Sequence, residues 1–156
     1  MGKISVFAGT GHGKTPAAFG EALMRASMGD QVVVIQYLKG KINLDSDFLS
    51  RLEPDIKIFS FEKSEDSFSD LDSIAKVEEI QNIRNGLNFA KKVLTTGGCD
   101  LLVLDEILGI VDNGILSIDE LKEMLNSREE QMDVIMTGIT LNDEIRELAD
   151  YVSTVS

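Results

Sequence analysis

The chain is 156 residues long, with 15 Lys and Arg against 27 Asp and Glu, a net charge of -12, one His, one Cys and no Trp. Its 43% apolar share suffices for the core of one domain, while its acidity argues against a broad nucleic-acid footprint or an anionic membrane surface as partner. No apolar run approaches the ~20 residues of a bilayer span, Met1-Gly-Lys-Ile-Ser lacks the apolar stretch of a signal peptide, and Cys99 with His12 makes neither a disulfide nor an ordinary zinc site.

One soluble, cytoplasmic domain over residues 1–156 is therefore expected. Within it the charge is uneven. Residues 1–43 hold five basic and two acidic side chains, net +3, and residues 44–156 hold ten basic and 25 acidic, net -15. A positive N-terminal third in an acidic protein is a hint that an anion is held there.

Ile4 to Ala8 is a short apolar run stopped by glycines, which predicts a buried strand. Thr15 to Ser27 carries Ala17, Ala18, Phe19, Ala22, Leu23 and Ala26 at helical spacing. Val32 to Gln36 is β-branched at nearly every position, as in a strand covered on both faces, and Lys39-Gly40-Lys41 then opens a loop. Asp45 to Leu52 reads as a short helix, Ile56 to Phe61 as a strand, and Glu62 to Asp70 as a polar, mobile loop. From Asp72 to Thr95, Ile74, Val77, Ile80, Ile83, Leu87, Ala90 and Leu94 mark one long amphipathic helix ending at Gly97-Gly98. Leu101 to Leu104 is an apolar strand ending in Asp105-Glu106. Ser117 to Asn126 reads as a helix with Ser117 and Glu120 as a capping box. Val134 to Met136 is a strand, Asn142 to Ala149 a helix, and Tyr151 to Val155 a last strand. Strands alternating with helices imply an α/β, three-layer fold around a mostly parallel sheet.

The chemistry concentrates in Ala8-Gly-Thr-Gly-His-Gly-Lys-Thr15, between a predicted strand and a predicted helix. The phosphate-loop pattern asks for Gly, four residues, then Gly-Lys-Ser/Thr. Ala8 replaces its first Gly, while Gly13-Lys14-Thr15 is intact and Gly9 and Gly11 are extra. Such glycines let backbone N–H groups approach phosphate oxygens, and the helix N-terminus adds its positive dipole end. Gly9, Thr10, Gly11, His12, Gly13, Lys14 and Thr15 are the candidate nucleotide-binding residues. Lys14 would lie along the phosphates and Thr15 would face Mg²⁺. An acidic residue ending a buried strand is where P-loop proteins hold that ion, which makes Thr15, Asp105 and Glu106 the candidate metal residues. No Ser-His-Asp or Cys-His set is present, so the nucleophile is expected from a substrate, cofactor or water. Pro16 removes one helix-start N–H that commonly faces a phosphate, though the ring is tolerated in a first turn.

On these blocks the chain resembles the ATP:corrinoid adenosyltransferases of the P-loop (RecA-like) type. Gly9-Thr-Gly-His-Gly-Lys-Thr-Pro-Ala-Ala-Phe-Gly20 is similar to the family's phosphate loop. Val34-Ile-Gln-Tyr-Leu-Lys-Gly40 and Asp100-Leu-Leu-Val-Leu-Asp-Glu-Ile107 are similar to its second and acidic strands. Gly114-Ile-Leu116, Val134-Ile-Met-Thr-Gly138 and Leu148-Ala-Asp-Tyr-Val152 follow in the family's order. The resemblance implies transfer of the 5′-deoxyadenosyl group of ATP to a reduced, cob(I) corrinoid with release of triphosphate. It also implies a catalytic set of Lys14, Thr15 and Glu106 with Mg²⁺ held near the last two, Lys39 as a further nucleotide-binding residue, a homodimer and a corrinoid-reducing partner protein. The chain departs from the family at Pro16, where a second Thr is usual, at His12, and at Ile139, where a Thr-Gly-Arg block has Arg. It also lacks the Trp that packs by the corrinoid. Two alternatives stay open: a divergent P-loop ATPase or regulatory module, and a partner-binding domain without nucleotide affinity.

Overall fold

The computed structural model describes residues 1–10, 13–38, 45–62 and 68–155. Along the chain lie β1 (Ile4–Ala8), α1 (Lys14–Ser27), β2 (Val32–Gln36), α2 (Ser46–Leu52), β3 (Ile56–Ser60) and α3 (Ser73–Thr96). They are followed by β4 (Leu101–Asp105), α4 (Ile107–Asp112), α5 (Ile118–Asn126), β5 (Asp133–Gly138), α6 (Asp143–Leu148) and β6 (Tyr151–Thr154). The six strands form one sheet in the order β3-β2-β4-β5-β1-β6. Every pairing is parallel, so the sheet is wholly rather than mostly parallel.

Successive side chains of a strand point to opposite faces, and that alternation divides the interior. Val33 and Ile35 of β2, Leu102 and Leu104 of β4, and Val134 and Met136 of β5 pack with α3, α4, α5 and α6. Val32, Val34, Leu101, Val103 and Ile135 face the other way, onto Ala18 and Ala22 of α1 and Leu52 of α2. Two helix layers thus cover one sheet, which is why β2 and β4 are buried at all five positions while the edge strand β6 is largely exposed.

The long helix departs from expectation at its start. Ile83, Leu87, Ala90 and Leu94 are fully buried, but Ile74, Val77 and Ile80 are 75%, 67% and 36% exposed. A helix of 24 residues is ~36 Å long, and a five-residue strand covers only ~17 Å. The first turns of α3 therefore find no sheet to cover. The capping box is half formed. Ser117 Oγ accepts the Glu120 N–H at 3.1 Å, but the Glu120 carboxylate ion-pairs with Arg84 and Lys91 of α3. The polar stretch after β3 includes residues 63–67, which lie outside the described residues, and Phe68–Asp70 form a 3₁₀ turn. Helix α4 was not expected from the sequence. Among the described residues no helix is long and apolar enough to cross a membrane.

Candidate active site

A parallel sheet gathers the carboxyl ends of its strands at one edge, and the loops there can meet without disturbing the core. The glycine loop leaves β1 at that edge. Gly9 has φ +147°, and a Cβ on it would lie 1.9 Å from the Val155 carbonyl oxygen, so only glycine fits. Its N–H donates to Gly138 O at 3.1 Å, and the Val155 N–H donates to Ala8 O at 2.8 Å. Gly9 is thereby wedged between the ends of β5 and β6. The Gly9 N–H is thus engaged by the protein, which leaves Gly9 the role of a backbone without a side chain. Gly13 caps α1. Pro16 is the third residue of that helix, where a backbone N–H has no intrahelical acceptor in any case. The first turn still closes through Ala17 N–H to Gly13 O at 2.9 Å. Thr10 is exposed. Gly11, His12 and Lys39 lie outside the described residues.

Four of the predicted residues converge. Thr15 Oγ1 donates to Asp105, 3.0 Å from Oδ1 and 3.3 Å from Oδ2. Lys14 Nζ lies 3.2 Å from Glu106 Oε1, with both side chains mostly buried. Asp105 ends the buried strand β4 and is only 1% exposed. Glu106 follows with φ 63°, a left-handed conformation that costs a non-glycine residue roughly 1–2 kcal/mol. That turn carries its carboxylate back to Lys14 instead of onward along α4. Burial, the largest cause, pushes the Asp105 carboxyl up to about 6, and the neighbouring Glu106 adds to the rise. Hydrogen bonds from Thr137 and Thr15, and the charge of Lys14, work in the opposite direction.

Thr137, at the end of β5, completes this cluster and had no role assigned from the sequence. Its Oγ1 donates to Asp105 Oδ1 at 2.7 Å and accepts the Glu106 N–H at 2.7 Å. The available signal was a lone hydroxyl directly after the apolar run Val134 to Met136. Next to it, Gly138 permits α4 to lie close, since a Cβ there would stand 2.3 Å from Leu108 Cβ. Cys99 stands apart at the start of β4, where burial pushes its thiol up to about 12 and keeps it protonated. It is no nucleophile at neutral pH.

An ammonium, a helix start and two carboxylates form an arrangement that suits a metal-bound polyphosphate. The donor set of one hydroxyl and two carboxylates is all oxygen, which fits Mg²⁺ better than a softer ion. Among solved structures, a KaiC-like protein, PH0186, from the hyperthermophilic archaeon Pyrococcus horikoshii aligns with a TM-score of 0.51 at 16% identity. The match covers 98% of this chain and 72% of that one and supports the P-loop fold alone.

Sequence relatives are more specific. The corrinoid adenosyltransferase of Escherichia coli K12 is 34% identical over 152 residues, covering 97% of this chain and 75% of the relative. Corrinoid adenosyltransferase CobA of Salmonella typhimurium is 32% identical over 157 residues, with the same shares covered. The profile of the family described as ATP:corrinoid adenosyltransferase BtuR/CobO/CobP matches residues 1–156. Because that match runs through the glycine loop and the acidic strand alike, the chain belongs to the ATP:corrinoid adenosyltransferase family of transferases.

Proposed function

We propose that residues 1–156 form one nucleotide-binding domain that moves the 5′-deoxyadenosyl group of ATP to a reduced, cob(I) corrinoid and releases triphosphate. The electron pair of cobalt(I) forms the bond to C5′, the C5′–O bond breaks, and triphosphate departs with the C5′–O bonding pair, leaving the cobalt formally oxidised to cobalt(III). No proton leaves carbon, so no side-chain base is required, and the protein's task is orientation and charge stabilisation. The observation that carries this reading is the convergence of Lys14 and Thr15 with Asp105 and Glu106.

Phosphate oxygens compete with Glu106 for Lys14, whose ammonium offsets charge building on the leaving group. Thr15 and Glu106 would hold Mg²⁺, with Asp105 beneath them. When bound, that ion supplies further neutralisation of the triphosphate. A hydroxyl that donates to a buried carboxylate turns its lone pairs outward, so Asp105 orients Thr15 for such a ligand. Gly9, Thr10, Gly11, His12, Gly13 and Lys39 would line the phosphates. A corrinoid-reducing partner belongs to the same reading, because the attacking cob(I) state has to be generated by reduction.

Anoxic incubation with ATP, Mg²⁺ and a reduced corrinoid tests it. Triphosphate and adenosylated corrinoid in equal amounts are expected. ADP and phosphate, or no corrinoid-dependent product with any corrinoid tried, would overturn it. One observation favours a second reading as a P-loop ATPase: Ile139, 55% exposed, stands where the resembled block carries Arg. The same product analysis separates the two.

A further inference from the structure

Thr137 is fully buried behind Val134, Ile135 and Met136, and its hydroxyl works where the strand ladder stops. The β4–β5 pairing ends at Leu104 and Met136, so Asp105, still paired with Gln36 of β2 on its other side, and Glu106 pass Thr137 without a ladder partner from β5. Its Oγ1 takes over as the next rung, accepting the Glu106 N–H and donating to Asp105 Oδ1, each at 2.7 Å. On its other side Thr137 pairs with Phe7 of β1, and the adjoining Gly138 carbonyl accepts the Gly9 N–H at 3.1 Å. Two residues therefore tie the acidic pair to the glycine loop.

Packing alone does not demand this residue, because Val has the same shape without the hydroxyl. We propose that Thr137 is a positioning residue that sets both carboxylates for metal-bound nucleotide. Its hydroxyl holds Asp105 under Thr15 and pins the left-handed turn that returns Glu106 to Lys14. Without it the Glu106 N–H loses its acceptor, the turn is free to relax, and the two carboxylates no longer share one arrangement. The effect falls on metal-bound nucleotide rather than on nucleotide alone, since phosphate oxygens replace Glu106 at Lys14 in either case and the Gly9 N–H keeps its bond to Gly138. This inference rests on the function proposed above and can fail separately from it.

Calorimetric titration of ATP, in EDTA and then in excess Mg²⁺, is compared for the parent, Thr137→Val and Thr137→Ser, beside kcat and KM. Metal-free affinity is expected to stay within about twofold in all three, while the gain from Mg²⁺ shrinks roughly tenfold in Thr137→Val and recovers in Thr137→Ser. Thermal unfolding checks that the variants are folded, and Thr137→Ala replaces Val if Val is not. A Val or Ala variant that responds to Mg²⁺ like the parent overturns the inference. So does a Ser variant as impaired as Val, or a parent whose ATP affinity ignores Mg²⁺. A parent that binds Mg²⁺ and ATP together but releases no triphosphate overturns the proposed function and leaves the role of Thr137 readable.

Discussion

Asp105 combines near-complete burial with a negative charge, and its neighbours only partly offset the conflict. Its carboxyl rises from 3.8 to about 6, burial being the largest cause. The unfolded chain therefore releases this proton at lower pH than the folded one, and stability falls as pH rises through that window. Asp105→Asn removes the effect. It is expected to stabilise the protein at about pH 7.5 by on the order of 1–3 kcal/mol and to give no gain at about pH 3.5. Urea unfolding midpoints at both pH values check this, and turnover should be lost in the same variant. Lys14→Ala has a different signature. With the ammonium gone, affinity for ATP should drop roughly 10–100-fold while the fold persists, as read by calorimetry beside thermal unfolding. Lys14, Thr15, Asp105 and Glu106 were legible because their spacing is tied to a strand end and a helix start. Thr137 was not, since a hydroxyl closing a strand reads alike whether it faces solvent or a buried carboxylate.

Helices α3 and α5 show how an element's local signals yield to tertiary contacts. The Ser117 and Glu120 spacing is that of a capping box, yet Glu120 finds two cations across the helix interface. Burial alone would raise its carboxyl, but Arg84 and Lys91 outweigh that and hold it below its ordinary 4.5. The stability it contributes is present above the unfolded value and is lost as pH falls through the folded one. Glu120→Gln should lower the melting temperature near neutral pH, through a loss below about 1 kcal/mol, and match the parent at about pH 2.5. Helix α4 escaped the sequence reading because Ile107 to Asp112 is too short and too uniformly apolar to show a period. Its place depends instead on the Glu106 turn and on Gly138, whose added Cβ would stand 2.3 Å from Leu108 Cβ. Gly138→Ala should lower stability by about 1–3 kcal/mol through overpacking, seen as a reduced melting temperature.

Over the whole molecule, the charge imbalance and the sheet topology describe one arrangement. The N-terminal third with net +3 supplies Lys14, and the remainder with net -15 supplies Asp105 and Glu106. The strand order sets β5 between β1 and β4, so a strand remote in sequence from both becomes the brace between glycine loop and acidic pair. Binding to the folded state alone adds stability, about 2.7 kcal/mol at a hundredfold excess over Kd. ATP with Mg²⁺ should therefore raise the melting temperature of the parent and, at the same concentration, raise that of Lys14→Ala by half as much or less.

The sequence by itself determined the layered α/β class around a parallel sheet and singled out Lys14, Thr15, Asp105 and Glu106, which the fold brings together. Those properties follow from local rules: alternation, helical period, and glycines at a strand-to-helix junction. Only the tertiary structure decided that α3 outruns the sheet and exposes Ile74 and Val77, that the Gly9 N–H is engaged by Gly138, and that Thr137 joins Asp105 to Glu106. Each of these depends on which distant residues the sheet order brings within hydrogen-bond or van der Waals reach, and no local pattern encodes that.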